Sequence, residues 1–361
     1  MQSAWPRWLN DGIDWQNNSF REALALDGSG CPADFRRLRV VSRQIFVFSK
    51  AHEHGLTSAA EAVALGLNFL DKHAAHAEGG YAWRFDLQHR VIDDTRDLYD
   101  HAFVLLAFAS AASVVPATEL RVRAEELTEW MLDAFAHPAG GFQESLPPGL
   151  PRRQNPHMHL LEALLAAHEA FGGTLFIDAA HRLVTLFRER IFERETGTLP
   201  EFFHDDWTIQ RRGGVFLVEP GHHCEWVWLL HWYQRLTGPS TDLQEISTRL
   251  MSFVDRFGIN VHGHLVDGLG SDGSVIEAGA RLWPQTEWLR AEYLRSEPNP
   301  LRQQQAARSL SSLLRADGLW HERRGADGVL WEGPAPASSL YHLTGAILNI
   351  DMQQDGPRLA G

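Results

Sequence analysis

The sequence predicts an all-α chain, with twelve helices paired into six hairpins that close into an (α/α)6 barrel and short β-hairpins in the connecting loops. Three observations predict it. Apolar residues recur at helical spacing through long segments with short breaks. Strand-like runs are few, short and confined to those breaks. A Gly-Gly step followed by an apolar residue recurs at Gly79-Gly80-Tyr81, Gly140-Gly141-Phe142 and Gly213-Gly214-Val215, at intervals of 61 and 73 residues. A period near 60 with two helices in it describes stacked helical hairpins. Closure into a barrel is preferred to an open solenoid because the residues suited to chemistry gather at the starts of alternate helices, which a barrel brings to one mouth. No Pro- or Ser-rich linker divides the chain, so residues 1–361 are read as one domain.

Taken in order, the first helix is read within residues 5–24. The second, 35–54, carries Leu38, Val41, Ile45, Phe48 and Ala51 as a 3.6-period stripe. The third, 57–73, opens on Thr57 and Ser58 as capping candidates, with Glu61 in the first turn. The others are read at 97–112, 118–136, 156–171, 177–193, 222–236, 241–257, 283–294, 301–316 and 338–352. Strand pairs are expected at 81–85 with 90–92, at 264–266 with 275–277, and at 320–322 with 329–331.

Composition excludes several function classes. The 361 residues carry a formal charge of −13, which argues against the basic footprint that nucleic acid requires. No run approaches the roughly 18 apolar residues of a membrane span, and the N-terminus lacks the pattern of a signal peptide. Two cysteines, Cys31 and Cys224, exclude a disulfide framework and point to a cytoplasmic protein. Tryptophan and histidine stand out, at 13 and 19 residues. A tryptophan face suits the C–H face of a sugar, and it equally fills space between helices.

The residues suited to chemistry sit near the starts of alternate helices. Arg43 lies on a mostly apolar helix, where an arginine needs an anionic or hydroxyl-rich partner. Tyr99 falls in the first turn of its helix. Asn155 and His159 are four apart and share a helix face, whereas His157 points elsewhere. That geometry disfavours a zinc site on His157 and His159. His222 and Glu225 are three apart on one face, an arrangement in which a carboxylate raises the basicity of a histidine and fixes its tautomer; His223 points away. Arg212, in the loop before them, is placed to close over a substrate. Trp283 and Glu287 share a face four apart, and His342 lies on the last helix. Walker, Rossmann and nucleophile-elbow motifs are absent. Glu225 and Glu287 are the one carboxylate pair that a glycosidase reading would use.

The segments RQIFVFS, LYDHAF, NPHMHLLEA, EPGHHCEW, RLWPQTEW and SSLYHLTGA, in this order, resemble the N-acylglucosamine 2-epimerase superfamily over roughly residues 35–350. The resemblance implies a sugar isomerase or epimerase that uses no metal and no cofactor, acts on a monosaccharide and assembles as a homodimer. It implies catalytic roles for Arg43, His159, His222, Glu225 and His342, and substrate contacts from Tyr99, Asn155, Arg212, Trp283 and Glu287. His342 would be the base at C2, and His222, oriented by Glu225, would open the ring and deliver a proton. One departure concerns specificity: Ser338 stands where the sulfoquinovose isomerases of the superfamily carry glutamine. Within the superfamily, interconversion of D-mannose and D-fructose (or D-lyxose and D-xylulose) through a cis-enediol is the expected reaction. A sugar 2-epimerase of the N-acylglucosamine or cellobiose type and a non-catalytic sugar-binding barrel are the alternatives. Arg211 and Arg212 beside Gly213-Gly214 keep a sugar 6-phosphate in view.

Overall fold

Helix α1, Ala4–Asp11, is much shorter than residues 5–24 allow. Asp14, Asn17 and Asn18 end the helical reading. The Asp14 carboxylate accepts from the backbone N–H of Asn17 at 3.2 Å and from its side chain at 2.9 Å, and Asn18 has φ 49°. These are turn residues, and they fold Ile13–Asp14 back onto Ser19–Phe20 as a two-residue antiparallel pair. Trp15 and Phe20 mimic a helical stripe, but Trp15 is exposed.

The computed structural model describes residues 1–354, with side chains through Ile350. Among these residues the remaining helices are α2 Leu38–Glu53, α3 Ala59–Phe69, α4 Leu98–Ala111, α5 Ala117–Ala134, α6 Gln154–Phe171 and α7 Leu175–Leu186. They continue as α8 Pro220–Thr237, α9 Thr241–Phe253, α10 Leu282–Glu292, α11 Pro300–Ser311 and α12 Ala337–Gln354. The even-numbered helices form a closed inner ring. Each packs on the next, and α12 returns to α2. Helices α3, α5, α7, α9 and α11 each pack outside their predecessor. Helix α1 covers the closure, packing on α2 while Trp5 Nε1 donates to Thr344 Oγ1 at 3.2 Å. This is the predicted (α/α)6 barrel of twelve helices.

The ring explains the burial pattern. Inner helices are apolar nearly all round because neighbours cover them, as in α4, where 13 of 14 residues are buried. Several tryptophans are core: Trp8, Trp226, Trp288 and Trp320 are among the largest fully buried side chains, and Trp8 stacks on Trp320 at 5.2 Å.

The true internal repeat is a turn that follows an outer helix. It closes with bridges ending at Tyr81, Phe142, Thr198, Leu265 and Trp320. Gly80 and Gly141 have φ 73° and 67° in the first two of these turns. Gly213-Gly214 belongs elsewhere, in a tight loop bridged by Arg212 and Val215. At each of four turns a backbone N–H donates to one inner-helix side chain: Tyr81 to His101 Nε2 at 2.9 Å, Phe142 to His157 Nε2 at 3.0 Å, Leu199 to His223 Nε2 at 3.1 Å, and Leu265 to Gln285 Oε1 at 2.9 Å. To accept, each imidazole must be neutral at Nε2. Burial lowers the pKa of His101 to about 4 and those of His157 and His223 to about 3. These histidines are structural clamps, as expected of two residues that point away from the mouth.

The strand expectations are partly corrected. Arg84–Asp86 pairs with Val91–Asp93, close to the reading. Val275–Glu277 is a strand, but its partner is Gly268–Gly270 and not 264–266. Residues 264–266 instead lie on the return side of a turn, with Leu265 bridged to Ile259 and His264 Nδ1 bonded to Ser309 Oγ at 2.6 Å. Arg323–Arg324 pairs with Ala280–Arg281, and only a single bridge, Arg324 to Leu330, remains of the pair expected at 320–322 and 329–331.

Candidate active site

Two residues after the clamped position three hairpins carry an acid, Glu144, Glu201 and Asp267, and Glu322 stands two residues after Trp320, which ends the bridge of its turn. These acids organise the mouth. Glu144 accepts from the backbone N–H and Nε of Arg153, the N-cap of α6, both at 2.7 Å. Asp267 accepts from the N–H of Arg281, the N-cap of α10, at 2.7 Å and pairs with its Nε at 3.1 Å. Glu22 does the same for Arg37 at α2. Each acid thus satisfies an orphan helix donor and is neutralised by the capping arginine.

The α8 end breaks this rule. Its N-cap is Glu219, so Glu201 meets no arginine there. Glu201 accepts from the Glu219 N–H at 3.3 Å and, with both oxygens at 2.9 Å, from His222 Nδ1. Glu219 adds a second carboxylate 3.9 Å from the same nitrogen. Burial alone would lower the pKa of His222, but Glu201 and Glu219 overcome it and raise it to about 9. His222 is therefore an imidazolium at neutral pH. Its Nε2 lies 3.2 Å from the amide of Asn155. Because an imidazolium donates at both nitrogens, the amide meets it through its oxygen, which also gives Oδ1 a partner it otherwise lacks.

His342 has the opposite setting. Its Nδ1 donates to Glu287 Oε1 at 2.8 Å, leaving Nε2 as a free acceptor. Arg290 pairs with the other Glu287 oxygen at 3.1 Å, and its guanidinium lies over the Trp228 ring at 4.0 Å. Gly345 leaves room for that guanidinium, since a Cβ there would strike it. Burial pushes Glu287 up, but Arg290 and His342 hold it below its ordinary range. Burial lowers the pKa of His342, and Glu287 offsets only part of that. His342 is thus neutral and basic at Nε2, across the cavity from a charged His222.

A cavity of about 220 Å³ lies between them. Eight of the ten predicted site residues line it: Arg43, Tyr99, Asn155 and His159 from α2, α4 and α6, and His222, Glu225, Trp283 and His342 from α8, α10 and α12. Trp283 is flanked by both imidazoles, at 4.9 Å from His222 and 5.6 Å from His342. Arg43 donates to Tyr99 OH at 2.6 Å and lies over the Phe103 ring at 4.1 Å. Among the described residues it has no carboxylate at ion-pair distance. His159 Nδ1 bonds Glu162 at 3.0 Å, and burial lowers its pKa to about 4, so it too is neutral.

Three expectations change. Glu225 does not orient His222; Glu201 does, offering both oxygens to Nδ1 from the preceding loop. Glu287 lies behind His342 and not on the cavity wall. Arg212 is exposed and outside the cavity lining, so it makes no contact there. The residues that sequence reasoning missed are Glu201, Glu219, Arg281, Glu322 and Ser339, which complete the mouth, and Glu162, which backs His159. Ser339 donates to Glu322 at 2.8 Å, and burial raises the Glu322 carboxyl to about 7.

Three groups hold ligand atoms within 4.8 Å of one another and could take a cation: His159, Glu162 and Glu225; Glu201, Glu219 and His222; and Glu225, Glu287 and His342. Each contains one of the His–carboxylate hydrogen bonds above. A larger cavity of about 890 Å³ opens at the other end of the barrel, between Phe46, Trp228, Trp232 and Tyr341, but neither His222 nor His342 lines it. No helix among the described residues is long and apolar enough to cross a membrane.

The family model for N-acylglucosamine 2-epimerase (GlcNAc 2-epimerase) matches residues 19–346, which span every element of this site. The chain belongs to the N-acylglucosamine 2-epimerase family. A mannose-6-phosphate isomerase of Rhizobium meliloti is 35% identical, over 97% of this chain and 94% of that protein. A D-mannose isomerase of Thermobifida fusca is 31% identical, over 57% of this chain and 54% of that protein. A crystal structure of D-mannose isomerase superposes with a TM-score of 0.86 at 21% identity, covering 97% of this chain and 95% of the other, which shows the shared barrel. Family membership makes this chain a sugar isomerase or epimerase.

Proposed function

We propose that the protein is an aldose–ketose isomerase that interconverts D-mannose and D-fructose through a cis-enediol. The observation that carries this reading is the pair of histidines in opposite protonation states across one small polar cavity. A C2 proton next to a carbonyl is acidic enough for a neutral imidazole to remove. His342 Nε2 takes it, and the electron pair left at C2 forms the C1–C2 double bond. The carbonyl oxygen at C1 takes a proton from the His222 imidazolium, giving the enediol. His342 then returns its proton to C1 while the O2 proton passes back to His222, and the ketose forms with no net change in the enzyme. Arg43, with no competing carboxylate, adds positive charge for the developing enediolate. Trp283 offers the sugar a flat apolar face.

Similarity supports the mannose configuration, since the names of the relatives above share it. The charge of the cavity supports the free sugar. Its second arginine, Arg281, is already shared by Glu219 and Asp267, and Glu219 and Glu322 are acids on the same wall. The name of the 35% relative favours the 6-phosphate as a second reading. Measuring kcat/KM for D-mannose, D-mannose 6-phosphate, N-acetylmannosamine and cellobiose separates the readings. D-Mannose is expected to be the best substrate and fructose its product. A preference of about tenfold or more for the phosphate ester, or 2-epimerisation of the last two sugars, would contradict this assignment.

A further inference from the structure

We propose that Glu225 is held as a neutral carboxylic acid and that its O–H is the hydrogen-bond donor at the floor of the cavity for the oxygen that becomes negative in the enediol step. Glu225 is 1% exposed and lines the cavity, yet neither of its oxygens has a hydrogen-bond partner. Its surroundings decide its proton. From α6 it faces Glu162, and His159, whose Nε2 is 3.9 Å away; from α10 it faces Glu287 and Arg290; from α12, His342 and Tyr341; and on its own helix, His222.

The other two acids hold the donors that make hydrogen bonds or ion pairs here. Glu287 holds Arg290 and the Nδ1 proton of His342, while Glu162 holds the Nδ1 proton of His159 and the Tyr341 hydroxyl. Arg290 keeps an unpartnered Nε–H, but neither it nor any other donor stands within hydrogen-bond distance of Glu225. A carboxylate without donors, buried beside two others, is the costliest arrangement available, and a proton on the unpartnered acid removes that cost. Burial, then the charge of Glu287, drives the Glu225 carboxyl well above its ordinary range, in agreement with the geometry. The proton stays on Glu225 throughout. It strengthens a hydrogen bond as charge grows on the substrate oxygen, so the proton transfers between sugar and histidines are unaffected. Only the identity of that oxygen rests on the isomerase reading.

The decisive measurement needs no substrate. Infrared difference spectra of ligand-free wild type against Glu225→Gln, in H2O and D2O near neutral pH, should show a carboxylic-acid carbonyl stretch that shifts in D2O and is lost in the variant. Glu225→Asp should move that band without abolishing it, which covers the case of a poorly folded glutamine variant. Carboxylate bands in its place would overturn the proposal. So would carboxylate bands that respond to EDTA, which would assign Glu225 to a metal. In turnover of D-mannose, Glu225→Gln keeps an N–H donor and should stay within about tenfold of wild type, whereas Glu225→Ala should lose about a hundredfold or more in kcat. A glutamine variant as inactive as the alanine variant, with its melting temperature unchanged, would overturn the donor role. If no sugar is turned over at all, the isomerase reading fails, and the infrared result still stands.

Discussion

His342→Gln is expected to lower isomerase kcat by about 10³-fold and to abolish exchange of the C2 hydrogen with solvent, without loss of the fold. The physical reason is the division of labour around Glu287. That carboxylate is fixed by Arg290 on one oxygen and by the His342 Nδ1–H on the other, so His342 presents a bare Nε2 to the cavity. Glutamine at this position can still reach Glu287 but offers no basic nitrogen. His159 cannot substitute, because burial holds its pKa at about 4 and its Nδ1 is committed to Glu162. C2 exchange by the variant at a rate near wild type, followed by NMR, would place the base elsewhere.

Glu201→Gln is expected to move the alkaline limb of the pH–rate profile downward. In the wild type His222 stays protonated up to a pKa of about 9, so activity that needs its proton should fall only as pH rises through that value. Burial opposes the charge, and Glu201 is the largest influence supporting it. Removing that negative charge while keeping the shape leaves burial less opposed, so the proton is lost at lower pH. Activity above neutral pH should drop by about tenfold or more, while activity under mildly acidic conditions suffers less. Stability follows the same sign. The raised pKa stabilises the fold fully below the unfolded value of about 6.5 and loses that contribution as pH climbs through about 9. The variant should therefore show a smaller loss of melting temperature between neutral and alkaline pH than the wild type. A limb that stays in place would show that Glu201 does not set the charge of His222. The corresponding shift should be absent from Glu225→Gln, in contrast to the pairing that the spacing of His222 and Glu225 suggests.

Much of this was legible in the sequence because helical periodicity is a strong signal over 15-residue stretches. The inner helices were placed within a few residues, and their first two turns supplied eight of the cavity residues. The errors have local causes. The first helix was placed only as lying within residues 5–24, and the turn that Asp14 and Asn17 make confines it to the start of that window. Glu225 was paired with His222 because helix spacing reveals only neighbours within a helix. Glu201 arrives from a loop 21 residues earlier, and no periodicity reports that contact. Its signal was present in another form: Phe142-Gln143-Glu144, Leu199-Pro200-Glu201, Leu265-Val266-Asp267 and Trp320-His321-Glu322 repeat an acid two residues after a hydrophobic position. The third of the Gly-Gly steps misled this reading of the repeat, since Gly213-Gly214 closes a surface loop. Arg212 was drawn into the site by its closeness in sequence to His222, whereas the chain between them carries it to the surface.

In the proposed reaction His342 and His222 move hydrogen between C2 and C1 of a mannose-type sugar. The most direct test is proton NMR of the wild-type protein with D-mannose in D2O, with and without EDTA. Fructose is expected to accumulate with or without EDTA, deuterium to enter at C1 of fructose, and the C2 proton signal of the remaining mannose to fade. Fructose formed with its C1 hydrogen wholly retained from C2 and no exchange into mannose would point to direct hydride transfer and rule out proton transfer through the two histidines.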